Sequence, residues 1–232
     1  MPMISLRNLF VISTFLTLVF VYKPASGQYN YGVYNYYTAG LKMGYEMYSY
    51  KMDPSRNVEH QILPNYSFGI SGGWFYRYWL EFHADVLFTK RDLRVKWLYP
   101  ADPFGQVPLY SDYKLAFITI PIQARANIIY TRNYKLNFGL GILPEFRFRP
   151  PREIVTYQNG VEAESFDSFL VKDFRRLLFG FPISLHNKIN FNRHYSTEIS
   201  FNYMWYVTKM NKVLMNGPGV GYYFNLAFYY DW

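Results

Sequence analysis

The sequence predicts an all-β fold: an eight-stranded antiparallel up-and-down transmembrane β-barrel with short turns at one end and long loops at the other. Three observations predict it. Eight segments alternate apolar and polar residues with a period of two, and each runs the roughly nine residues that a tilted strand needs to cross a bilayer. The connections between the segments alternate strictly between short and long. Aromatic residues make up 22% of the 232-residue chain while charged residues make up only 17%, and the mean hydropathy is −0.14. That mixture suits a surface that meets both lipid and water, because Tyr and Trp favour the boundary between them.

The chain opens with Arg7, an apolar run from Leu9 to Tyr22, and "PASGQ" with small residues at Ala25 and Gly27. This reads as a secretory signal peptide over residues 1–27, cleaved before Gln28. The run is shorter than the roughly 20 residues of a spanning helix. A Tyr-rich segment, 28–36, follows, and residues 37–232 form the expected barrel.

The first strand runs Ala39, Leu41, Met43, Tyr45 and Met47 on one face. The second carries Tyr66, Phe68, Ile70, Trp74 and Tyr76, and the third Leu80, Phe82, Ala84, Val86 and Phe88. The fourth runs from Ile118 to Ile128 and contains Pro121, which cannot donate a ladder hydrogen bond, so a bulge or local opening is expected there. The fifth runs from Leu136 to Phe148, the sixth from Leu177 to Leu185 and the seventh from Ile199 to Val207. The eighth carries Tyr222, Phe224, Leu226, Phe228, Tyr230 and Trp232. "RYW", "TRNY" and "NRHY" form the tight turns, and 48–65, 89–113, 149–173 and 208–219 the long connections. A soluble sandwich or lipocalin-like barrel would bury its apolar face and show polar residues outside, with loops less unequal than these.

The opposite faces should point into the lumen. They carry the cations Lys42, Arg77, Arg125, Lys135, Arg147 and Lys188 and the acids Glu46, Glu81, Asp85, Glu145, Glu198 and Asp231, together with His83 and His186. An eight-stranded barrel is narrow enough for side chains to fill it, and charges there must pair or meet water. The expectation is an internal network of ion pairs and hydrogen bonds. Glu81, His83 and Asp85 are metal-ligand types. Alternate residues on one strand lie about 6.5–7 Å apart, however, so the three spread along a line rather than converge. Ser184 and His186, with Glu81 or Asp85 supplying an acid, offer a foothold for a hydrolase, and the same spacing argues against their direct hydrogen bond. The expected protein is therefore not an enzyme and carries no cofactor.

The chain has no cysteine, which excludes disulfides, thiol chemistry and lipoprotein acylation. "FTKRDLRVKW" places Lys90, Arg91, Arg94 and Lys96 beyond the third strand, where a loop would meet lipid phosphates or simply water. Nucleic-acid binding is not expected, since no nucleic-acid motif accompanies the basic residues. Phe228, Tyr230 and Trp232 form a terminal aromatic strand like the signal that barrel-assembly machinery reads.

"AGLKMGYEM", "WLEFHADVLFTKRDLRV", "YKLAFITIPIQARANIIY" and "KLNFGLGILPEFRF" appear in the order of strands in the PorT-like outer-membrane β-barrel family, which the chain resembles across its mature length. It departs from the family at Thr119, often acidic there. The resemblance implies an eight-stranded barrel in the outer membrane of a Gram-negative bacterium. It also implies a structural role, or an accessory role in an envelope or secretion complex, the type IX machinery being one that family members serve. A lipid-modifying hydrolase is the alternative, and a narrow solute pore the next.

Overall fold

The computed structural model describes residues 36–77, 79–100, 104, 107–165 and 169–232. The expected signal peptide, its cleavage point and the Tyr-rich segment up to Asn35 lie outside the described residues. The strands are β1 (Tyr36–Ser49), β2 (Val58–Gln61), β3 (Asn65–Arg77), β4 (Leu80–Trp97), β5 (Pro108–Thr119) and β6 (Ile122–Tyr130). They continue with β7 (Tyr134–Arg147), β8 (Arg152–Tyr157), β9 (Glu162–Ser165), β10 (Leu177–Asn190), β11 (Tyr195–Tyr206) and β12 (Val220–Asp231). Tyr36, expected in the N-terminal segment, belongs to the first strand.

The walls form a closed antiparallel ring of eight. β1 pairs with β3, β3 with β4, and β4 with β6 and then β5. β6 and β5 both pair with β7, β7 with β10, β10 with β11, β11 with β12, and β12 returns to β1. Closure leaves no open edge in the wall, as a sheet in lipid requires. β5 and β6 are one wall strand interrupted at Ile120 and Pro121, as the proline predicts. The freed groups find partners across the gap: Asp85 N–H donates to Pro121 O at 3.0 Å and Ile120 N–H to Pro144 O at 3.0 Å. Pro182 marks a second interruption, between the Gly180–Leu143 and Ile183–Leu140 pairs of β10 and β7.

Outside, apolar side chains stand exposed around the whole ring, among them Leu41, Phe68, Val86, Ile122, Leu140, Phe181, Phe201 and Phe228. The expected alternation gives this face directly. Inside, opposite residues are buried. The long-loop end is more elaborate than expected. The predicted third strand ends at Phe88, whereas β4 continues through the charged run to Trp97. β5 rises beside it, and β8 and β9 form a hairpin on β5. In this extension the period of two holds but its sense inverts. Leu93, Val95, Tyr113, Leu115 and Phe117 point inward and are buried, while Lys90, Asp92, Arg94 and Lys96 take the outward positions. The inward residues join Val171, Phe174, Met210, Leu214 and Met215 from the long connections in one apolar cluster. That cluster caps the lumen at its long-loop end.

Candidate functional site: the closed lumen

Below the cap the interior is lined by buried polar side chains. Register explains the layering, because each inward residue of one strand is level with an inward residue of the next. Nearest the short turns, Lys188 pairs with Asp231 at 2.9 Å, and Ser196 Oγ donates to Asp231 at 3.1 Å. Lys135 lies 3.6 Å from Glu81 and donates to the Tyr36 hydroxyl. Asn137 Nδ2 donates to Glu81 at 3.2 Å, and His83 Nε2 lies 3.1 Å from the same carboxylate.

One level higher, Lys42 pairs with Asp85 at 2.6 Å, and Ser71 Oγ donates to the other oxygen of Asp85. Arg125 Nη1 donates to Glu198 at 3.0 Å, and Arg125 Nε donates to Gln123 Oε1 at 3.3 Å. Gln123 in turn bonds Asn202 at 3.2 Å.

The uppermost polar layer centres on Arg91 and Glu145. The guanidinium meets the carboxylate in a two-pronged pair, 2.8 Å from Nη1 and 2.7 Å from Nη2. Its face lies 3.8 Å from the centre of the Tyr48 ring. Tyr206 donates to Glu145 at 3.0 Å, Thr119 donates to it at 3.3 Å, and Tyr48 donates to Glu46. Tyr48 and Tyr206 hydroxyls lie 2.6 and 2.7 Å from that of Tyr223. A planar guanidinium suits this place because it can fork onto a carboxylate and stack on rings at once.

The expected network therefore assembles around Lys42, Glu46, Glu81, His83, Asp85, Arg125, Glu145, His186, Lys188 and Glu198, with Lys135 and Asp231. Two expected members stay outside it. Arg77, at the Phe75–Arg77 register shift before the β3–β4 turn, is exposed and lies over the Tyr76 ring. Arg147, at the end of β7, turns to the rim and donates to Phe174 O at 2.9 Å. Arg91 corrects the expectation in the opposite sense. The sequence places it in an external loop, yet it is 0% exposed inside the barrel. Its neighbours stay on the outer wall. Lys90 faces Asp92 at 3.3 Å, and Arg94 holds Asp112 through two contacts of 2.6 Å. Lys96 occupies the next outward position of β4.

The geometric objection to a Ser–His contact does not hold. Ser184 Oγ lies 2.8 Å from His186 Nε2, and His186 Nδ1 lies 2.8 Å from Glu198 Oε1. A Cβ on Gly139 would fall 2.3 Å from Ser184 Oγ, so the glycine makes the room. The third member is Glu198, not Glu81 or Asp85. The three are 2%, 0% and 1% exposed, and Glu198 is shared with Arg125. The chain of contacts has the hydrogen bonding of a nucleophile, base and orienting acid, without an approach for a substrate. Among the described residues, no three His, Asp or Glu side chains converge as a metal site.

The terminal aromatics lie on the outer face, with Phe228, Tyr230 and Trp232 all exposed. Trp232 N–H donates to Tyr37 O at 3.0 Å, and its ring stacks 6.1 Å from Tyr230. The end of the chain is thus tied to the first strand.

No family model and no curated protein matches the chain. Among solved structures, it is similar to the outer membrane protein OprG from Pseudomonas aeruginosa, with a TM-score of 0.50 at 10% identity over 85% of this chain and 95% of that one. Neisserial surface protein A aligns with a TM-score of 0.46 at 15% identity, over 82% of this chain and 95% of that one. Ail, the attachment invasion locus protein of Yersinia pestis, aligns with a TM-score of 0.44 at 11% identity, over 84% and 99%. The likeness to OprG shows a shared fold: this chain is a small eight-stranded β-barrel of the kind found in outer membranes.

Proposed function

We propose that this protein is a non-enzymatic outer-membrane β-barrel that acts as a structural element or as an accessory subunit of an envelope or secretion complex. One observation carries the reading: an apolar belt surrounds an eight-stranded ring whose lumen is filled by paired charges and capped by an apolar cluster. Such a barrel offers lipid an outer surface and offers solutes no path, so its function lies in what its surface and loops touch. The short turns and both chain ends of the mature protein face the periplasm, and the long connections face outward. The resemblance of the strand motifs to those of PorT-like barrels supports a role beside a secretion machine, the type IX system among them. Its partners are outer-membrane lipids and the proteins of that complex. During biogenesis the barrel-assembly machinery reads Phe228, Tyr230 and Trp232. Lys90, Arg94 and Lys96 are the candidates on β4 for lipid-phosphate contact, although Lys90 and Arg94 already face carboxylates.

Membrane fractionation followed by crosslinking in intact cells tests the proposal. The expected result is a heat-modifiable barrel in the outer-membrane fraction, crosslinked through its loops to a defined envelope complex. A protein recovered from the soluble periplasm would end this reading.

The hydrogen-bonded run from Ser184 through His186 to Glu198 favours a second reading, a lipid-modifying hydrolase. It ranks lower because the three side chains are sealed from both lipid and solvent. Ser184→Ala and His186→Ala should leave envelope function at the wild-type level when barrel abundance is matched. Loss of a lipid-processing activity at normal abundance would favour the hydrolase.

A further inference from the structure

At the long-loop rim, between the end of β7 and the start of β10, lies an open cleft of about 840 Å³. Arg147, Arg149, Lys172, Arg175, Arg176 and Lys212 line it, and among the described residues Asp173 is the only acid in its lining. On β4 and β5, Arg94 is answered by Asp112 and Lys114 by Asp92. Here, among the described residues, no carboxylate forms an ion pair with Arg149, Arg175, Arg176 or Lys212. Holding four such cations around one cleft costs free energy, and an anion would recover it.

The framework of the cleft is ordered by contacts of its own. Arg147 Nη1 donates to Phe174 O at 2.9 Å, and Arg147 N–H donates to Arg176 O at 2.7 Å. Arg175 N–H donates to Met210 O at 2.9 Å, which fastens the cleft floor to the apolar cap. Phe148 and Leu177 are exposed in the cleft lining, and Phe146 of β7 and Phe179 of β10 are exposed beside them, so that together they form the upper edge of the apolar belt. A group bound in the cleft therefore sits where acyl chains along these aromatics would end in their headgroup.

We infer that this cleft binds the phosphorylated headgroup of an outer-leaflet glycolipid. Guanidinium forks match phosphate oxygens two at a time, and the belt below takes the attached chains. The inference rests on the membrane-facing reading of the belt. It names a glycolipid headgroup and a defined cleft for it, apart from the lipid-phosphate contacts of β4.

The test uses the full mature barrel in neutral detergent micelles, so it does not depend on where the protein resides in the cell. Its failure is thus separable from failure of the outer-membrane assignment, which fractionation decides. The barrel is titrated with mixed micelles carrying a bisphosphorylated glycolipid, with the same glycolipid after dephosphorylation, and with inorganic phosphate. Saturable binding of the phosphorylated lipid is expected, at least about tenfold tighter than either of the other probes. The Arg149→Ala/Arg175→Ala/Arg176→Ala variant should lose on the order of 100-fold, from roughly fivefold per cation near an anionic surface. Its three side chains are exposed, and heat-modifiability checks that it folds. Lys51→Ala/Arg56→Ala, at exposed residues of another long connection, should bind within about threefold of wild type, since scattered surface charges contribute little. Wild-type affinity should also fall as salt is raised, a readout that needs no variant. Three results would each overturn the inference: wild-type binding by the triple variant, binding indifferent to dephosphorylation, or inorganic phosphate binding as tightly as the lipid. A comparable loss in the Lys51/Arg56 variant would assign the binding to general surface charge and not to the cleft.

Discussion

Arg91 is the residue whose position changes the picture of the lumen most. It sits in a run of charge, "TKRDLRVK", that reads as a solvated loop. Its parity with Glu81, His83 and Asp85 is nevertheless unbroken, and parity decides which way it points. Arg91 and Glu145 are 0% exposed and paired at two contacts. Removing either partner alone strands a charge away from water. Arg91→Ala or Glu145→Ala should therefore each lower stability by about 3–5 kcal/mol. The double variant Arg91→Met/Glu145→Leu should cost much less than the two single losses combined, since both charges leave together and Tyr48, Tyr206 and Tyr223 still bond one another. Urea unfolding of the barrel in lipid vesicles measures all three. Strictly additive costs would show that the two side chains act independently. Ser184 and His186 carry the other residue-scale lesson. Backbone spacing alone sets them too far apart, but two side chains leaning into a narrow concave interior close the distance to 2.8 Å. The glycine opposite, which makes this lean feasible, is visible in the sequence only as one more small residue of β7.

The eight wall strands were legible because each obeys one simple rule, apolar outward and polar inward, over a bilayer's thickness. The rule stops being a guide where the wall leaves the belt. From Leu93 to Val95 water lies outside and the cap inside, so the same alternation carries the opposite chemistry, and a pattern search reads the strand as finished. The interruption at Pro121 was legible because a missing N–H is a property of the residue itself. The β8–β9 hairpin and β2 were not legible, being short strands within connections that lack an apolar face. At this scale the closing strand makes a prediction. β12 pairs with β1 from Thr38–Asp231 to Ser49–Val220 and with β11 along its other edge. Deleting Tyr230 to Trp232 removes the Trp232–Tyr37 hydrogen bond, the terminal register pairs and two residues of the proposed assembly signal, Tyr230 and Trp232. The heat-modifiable, membrane-inserted form should fall sharply while export continues. Deleting residues 28–35, which precede β1, should reduce it far less. Equal insertion of the C-terminal deletion and wild type would reduce Trp232 to a girdle aromatic.

As a whole, the molecule is a filled cylinder. Ion pairs occupy the lumen from Lys188 and Asp231 at one end to Arg91 and Glu145 near the other, and the apolar cluster lies above them. The purified barrel should show no steady conductance in planar bilayers, and stable, ion-selective unitary currents would contradict the closed lumen. Belt and cap also differ in what holds them. The belt is apolar surface left exposed to lipid, whereas the cap is apolar surface withdrawn from water, as in a small soluble domain. Only the second kind of burial carries a large positive heat capacity of unfolding and yields readily to urea, which solvates apolar and peptide groups. The cap, with Trp97 packed against it, should thus melt as a unit of its own. Trp97 fluorescence, isolated by replacing the other tryptophans with Phe, should change at a lower urea concentration than the loss of heat-modifiability. The molecule would then have two denaturation midpoints, one governed by solvent and one by lipid.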